Sequence, residues 1–248
     1  LQDCFMVGGT SHGYLSLEGA IESQQNTPIN DEERGVQMLY SSGTTGRPKG
    51  VLPKRVPGES IQVMTPSAAT LGAKFGFGED TVYLSPAPLY HAAPLTYNTI
   101  TMHLGGTSII MERFDAERSL ELIEKHKVTH SQWVPIMFIR MLRLDEKLRT
   151  QFDFSSHKVA IHAAAPCPIE IKQQMITWWG PIINEYYGST EGMGFTALNS
   201  EQWLNHPGSV GPPLGCRIKI LDDEGQELPD GEIGTVYFAD RIGDFSYY

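Results

Sequence analysis

Ten residues, Ser41-Ser42-Gly43-Thr44-Thr45-Gly46-Arg47-Pro48-Lys49-Gly50, gather three glycines, four hydroxyls and two cations behind a short apolar run. Glycines let a backbone turn inward and present successive N–H donors to one anion. Hydroxyl groups add donors that rotate toward phosphate oxygens. Arg47 and Lys49 offset the charge of a polyanion. The string has the parts of a triphosphate cradle, yet it is not a Walker A loop. Counting from Gly43, that pattern requires Gly at 48 and Ser or Thr at 50, where this chain has Pro48 and Gly50.

A second run, Tyr186-Tyr187-Gly188-Ser189-Thr190-Glu191-Gly192, follows the apolar stretch at 182–183. It offers a ring for stacking on a base, a hydroxyl for a phosphate, and a carboxylate of the hard-oxygen kind that suits Mg²⁺. Ligands of open α/β sheets bind beyond the carboxyl ends of strands, which is where such a run belongs. By itself it also fits a strand end with a capping Ser or Thr. His91, among Pro, Ala and Leu, reads on its own as a half-buried, hydrogen-bonded side chain.

The bulk properties narrow the partners. Lys and Arg number 19 against 29 Asp and Glu, a net charge of −10, so nucleic acid is not expected to bind by long-range attraction. A local anion site on an acidic protein remains feasible because backbone donors can build it. Cys4, Cys167 and Cys216 lie far apart without ligand spacing, which predicts three reduced thiols. No stretch reaches the length of an apolar span and no signal-type segment opens the chain. These features predict a cytoplasmic location and no transmembrane segment.

Elements must position the two runs. Strand-like segments at 36–40, 82–84, 107–111, 128–134, 158–163 and 182–186 alternate with helical patterns at 92–104, from Asp115 to about 126, at 135–148 and at 168–179. Asp115 is a cap residue, and Pro135 suits a first helical turn. Such alternation predicts layered helices on a largely parallel sheet. Beyond about 210 the pattern changes to period two, at 217–221 and 234–239, with Asp223-Glu224-Gly225 as a turn. The expected division is an α/β core over 1–209 and the start of a small β subdomain over 210–248.

Together the two loops resemble the adenylate-forming superfamily of acyl-CoA synthetases, luciferases and peptide-synthetase adenylation domains. The first is similar to its phosphate-binding signature and the second to its Y-G-x-T-E motif. Pro88-Leu89-Tyr90-His91-Ala92-Ala93-Pro94 resembles its acyl-pocket motif, and His162-Ala163-Ala164-Ala165-Pro166 its adenine-side strand end, with His162 where a small residue is usual. The runs at 208–213 and 231–234 resemble motifs further downstream. The resemblance implies that Ser41, Ser42, Gly43, Thr44, Thr45, Gly46 and Lys49 hold the triphosphate. Ala164, Ala165, Pro166, Glu185, Tyr186, Tyr187 and Gly188 would wall the nucleotide. Thr190 would contact the α-phosphate, Glu191 would hold Mg²⁺ with help from Ser41, and His91 would stand at the acyl entrance.

The implied activity is ATP-dependent conversion of a carboxylic acid, of the fatty-acid kind, to an acyl-adenylate, then to a CoA thioester. The implied small molecules are ATP, Mg²⁺, CoA and the acid. An adenylation domain that loads a carrier protein, or a nucleotide-binding module without turnover, fits the same motifs. The family continues with a ribose-binding aspartate and a mobile domain that carries a catalytic lysine. The motif of Asp244 comes too soon after Gly234 to be that aspartate. The chain is therefore expected to be the central part of a larger ligase and inactive by itself.

Overall fold

The computed structural model describes residues 4–41, 47–239 and 245–247. A short N-terminal piece pairs β1 (Phe5–Met6) with β2 (Leu15–Ser16), followed by α1 (Leu17–Glu22). The strands β3 (Leu39–Ser41) and β4 (Lys49–Pro53) form an antiparallel hairpin around the first loop. Its loop residues Ser42, Gly43, Thr44, Thr45 and Gly46 lie outside the described residues, as does the 242–244 segment.

The central sheet follows. Its elements are α2 (Pro66–Lys74), β5 (Val82–Ser85), α3 (Ala92–His103), β6 (Thr107–Ile110), α4 (Ala116–Lys125), β7 (His130–Trp133), α5 (Pro135–Leu142), α6 (Glu146–Thr150) and β8 (Val159–His162). Then come α7 (Ile169–Trp179), β9 (Ile183–Gly188), β10 (Phe195–Leu198), α8 (Ser200–Asn205) and β11 (Pro213–Leu214). Seven strands lie in the order β11-β10-β9-β8-β7-β5-β6. β6, β5, β7, β8 and β9 run parallel, while β10 and β11 are antiparallel additions at one side. The expected layered, largely parallel architecture is present.

Period two within the strands divides the core between two faces. Leu84, Ala160, Ile183 and Leu198 face a cluster with Leu120 and Ile123 of α4, Phe138 and Met141 of α5, Met175 and Trp179 of α7, and Trp203 of α8. Tyr83, Ile161, Tyr186 and Ala197 face the opposite side with Leu71 of α2 and Tyr97 and Ile100 of α3. A parallel strand covered on both faces must be apolar on both, hence its near-continuous apolar runs. Each fully buried Leu or Ile contributes about 1.5–3 kcal/mol.

Two expectations are corrected. The helix expected over 135–148 is broken: α5 ends with Arg143 as its C-cap, and the Asp145 carboxylate accepts from the Lys147 N–H to start α6. The apolar periodicity spans both pieces and hides the cap between them. In the tail, β12 (Arg217–Leu221) and β13 (Thr235–Ala239) form a separate antiparallel pair. The 223–225 turn does not join them directly, because Leu221 pairs with Thr235 across a longer excursion. β14 (Phe245–Tyr247) returns to pair with β4.

Candidate functional site

Parallel strands end at the same sheet edge, so three loops meet there. β5 leads through residues 86–90 to His91, which is exposed and stands at the N-cap of α3 without a side-chain cap bond. β8 ends at His162 and delivers Ala164, Ala165 and Pro166, all exposed. Ala164 has φ 74°, a left-handed conformation that L-residues adopt at a cost, and it turns the chain away at that edge. β9 ends at Gly188 and delivers exposed Ser189 with half-buried Thr190 and Glu191. Because β6 and β7 leave to opposite sides of β5, chain order reverses there, the usual place for a ligand crevice in such sheets.

Gly188 is required by packing. A Cβ there would lie 2.4 Å from the Phe195 ring of the neighbouring β10. The next turn is closed by the Gly192 N–H donating to the Ser189 carbonyl at 3.1 Å, with Gly192 at φ 65°, and it contains Thr190 and Glu191.

The first loop approaches the second through a residue that the sequence reading did not single out. Tyr247 on β14 donates its hydroxyl to Glu191 Oε1 at 3.2 Å, and the Lys49 ammonium lies 5.1 Å from the centroid of the same ring. Tyr247 thus links the last cation of the cradle to the carboxylate of the second loop. Ser41 pairs with Lys49 across the hairpin, so it stands at the same end. Alternating apolar residues near the chain end were the only signal for β14, and they do not say which strand it would join.

The residues expected to wall the nucleotide divide by depth. Tyr187 is exposed and its ring lies 6.0 Å from that of Phe238 on β13. Tyr186 is buried among Phe75, Tyr97 and Phe195. Glu185 points to the other face, where its Oε2 accepts from Lys172 Nζ at 2.5 Å. Burial pushes the Lys172 ammonium below its ordinary pKa against the opposing pull of Glu185, and desolvation holds His162 down at about 3. The exposed surface at this edge therefore consists of Ala164–Pro166, Tyr187 and Gly188, while Glu185 and Tyr186 support it from beneath.

The donor set suits Mg²⁺. Glu191 is one carboxylate beside the hydroxyls of Ser189 and Thr190, an all-oxygen array of low charge. Mg²⁺ takes one or two carboxylates and completes its shell with waters and substrate phosphates. No group of three or more His, Cys, Asp and Glu able to hold a metal occurs among the described residues.

An open α/β sheet that carries the Ala164–Pro166 and Tyr187–Glu191 runs at its carboxyl edge defines the class of folds whose ligands bind beyond the strand ends. The family described as AMP-binding enzyme matches residues 8–242, and the chain belongs to it. It is similar to a medium/long-chain-fatty-acid–CoA ligase of Mycobacterium tuberculosis, 30% identical over 230 residues, covering 90% of this chain and 38% of that protein. It is also similar to a 4-hydroxybenzoate–CoA/benzoate–CoA ligase of Rhodopseudomonas palustris, at 33% identity over 84% of this chain and 38% of that protein. Among solved structures it resembles the o-succinylbenzoate CoA synthetase of Bacillus subtilis in complex with its acyl-adenylate intermediate. That match has a TM-score of 0.67 and 27% identity, over 80% of this chain and 39% of the other. The chain thus spans less than half the length of these relatives.

Proposed function

We propose that the protein carrying this chain is an acid–thiol ligase. A carboxylate attacks the α-phosphorus of ATP, its new P–O bond forming as the bond to pyrophosphate breaks. The acyl-adenylate then yields its acyl group to the CoA thiol, with AMP leaving and the thiol proton passing to solvent. The observation that carries this reading is the meeting of Glu191 and Lys49 across Tyr247 at the edge where β8 and β9 end.

A carboxylate nucleophile is ionised at neutral pH, so no strong general base is needed. The barrier falls through positioning and charge stabilisation at the phosphorus. Ser41, the residues 42–46 and Lys49 would hold the β- and γ-phosphates, and Thr190 would donate to the α-phosphate. Ala164, Ala165, Pro166, Tyr187 and Gly188 would seat the adenine. Glu191, assisted by Ser41, would hold Mg²⁺, whose charge neutralises the phosphate oxygens. His91 would border the acyl entrance. The core over 1–209 would carry these groups, with residues 210–248 opening a small β unit.

No helix among the described residues is long and apolar enough to cross a membrane. The three free cysteines support a reducing, cytoplasmic setting. The relatives act on aliphatic and aromatic acids, and fatty acids are the first class to test. The deciding measurement is acid-dependent exchange of pyrophosphate into ATP by the whole protein, across a panel of acids, followed by thioester formation with CoA or a carrier protein. Exchange without any dependence on acid would refute the reading.

A further inference from the structure

Beneath the adenine-facing strand ends sits a charge that the reaction does not use. Lys172, on α7, is fully buried. Its Nζ donates to Glu185 Oε2 at 2.5 Å and lies 4.9 Å from the centroid of the Trp203 ring on α8. Glu185 is 7% exposed. It pairs in register with His162 on β8, whose Nε2 lies 3.5 Å from the same carboxylate oxygen. Both ring nitrogens of His162 are buried without a hydrogen-bond partner among the described residues.

Desolvating two charges is expensive, and apolar residues of similar volume usually fill such a space at least as stably. Stability alone therefore gives no reason for the pair, whereas its place does. Glu185 stands two residues before Tyr187, and His162 two before Ala164. The ammonium ties the β9 end to α7, and β8 is paired in register beside it, at the point where their exposed residues begin. A short, charge-assisted bond is also more directional than apolar packing.

We propose that Lys172 is a positioning residue for the adenine nucleotide: through Glu185 it sets the height and orientation of the β8 and β9 ends that present Ala164–Pro166 and Tyr187. This rests on the nucleotide reading above. The ionisable groups facing Glu185 are Lys172, Cys167 from the segment before α7, and His162 from β8; Trp203 on α8 carries no charge. Burial keeps His162 neutral and pushes the Cys167 thiol up to about 11, so near neutral pH neither adds a charge beside the Lys172–Glu185 pair. Without Lys172, a buried carboxylate loses its hydrogen-bonded cation.

The test uses the whole protein, with ATP·Mg binding by titration calorimetry and thermal unfolding recorded on the same samples. Lys172→Met should weaken ATP binding roughly tenfold near pH 8, as displaced supporting groups do. Lys172→Arg, which keeps the charge, should restore much of the affinity. Lys172→Met combined with Glu185→Gln removes both charges and should fold even where the single variant does not. It should still bind several-fold more weakly than the parent. Variants that lose melting temperature but bind ATP as the parent does would overturn the inference and leave the functional reading standing. A parent that binds no ATP would overturn both.

Discussion

Each proposed contact at the carboxyl edge can be removed singly. Glu191→Ala deletes the anionic oxygen that would hold Mg²⁺, and Thr190→Ala deletes a donor aimed at the α-phosphate. Donors that act on developing charge are worth roughly 3 kcal/mol, so Thr190→Ala should lower pyrophosphate exchange by about a hundredfold, and Glu191→Ala should lower the same exchange through the lost Mg²⁺ ligand. Parental exchange rates in both would show that the motif roles do not carry over. Tyr247→Phe tests a subtler role. It keeps the ring beneath Lys49 but removes the hydroxyl that Glu191 Oε1 accepts. The freed carboxylate should be less well oriented, and the Mg²⁺ concentration for half-maximal ATP binding should rise a few-fold, with the melting temperature unchanged.

Elements set those residues by close approach. β9 and β10 can pair only because Gly188 lacks a side chain opposite Phe195. Gly188→Ala should overpack that point and destabilise the protein by about 1–3 kcal/mol, read as a lower urea midpoint. Phe195→Leu in the same chain should recover part of the loss, because a smaller side chain leaves room for the new methyl. A midpoint equal to the parent's would mean that the two strands separate without cost.

For the molecule as a whole, acid is the revealing perturbation. His157 and His162 are both buried, and desolvation lowers each to about 3 from an ordinary 6.5. His157 keeps its Nε2 on Ser131 Oγ at 2.7 Å, and Trp133 donates to that same oxygen at 2.6 Å. The unfolded chain binds the protons that the folded chain refuses. Stability is therefore fully present above about pH 6.5 and declines as the pH falls toward 3. The slope reaches at most about 1.4 kcal/mol per pH unit for each histidine. Chemical denaturation at pH 7, 6 and 5 should show this fall, and His157→Gln should flatten it. An unchanged slope in that variant would assign the acid sensitivity elsewhere.

What the sequence determined by itself was local. Glycines and hydroxyls in one string, a Tyr-Gly-x-Thr-Glu run after a strand, and alternating strand and helix periods all act within a few residues of chain, and composition exposes them directly. The α/β class and the strands leading to His91, Ala164–Pro166 and Thr190–Glu191 were legible for that reason. Tertiary structure decided what depends on distant partners. α5 stops at Arg143 and Asp145 caps the start of a second helix, a break that periodicity hides. Glu185 and Tyr186, adjacent in a motif, turn to opposite faces because side chains alternate across a strand. Lys172 looks like one more helix-surface cation until α8 closes over it, and Tyr247 acquires its place only when β14 pairs with a strand nearly two hundred residues earlier. Burial and pairing are properties of the assembled sheet, which brings together groups that no spacing along the chain relates.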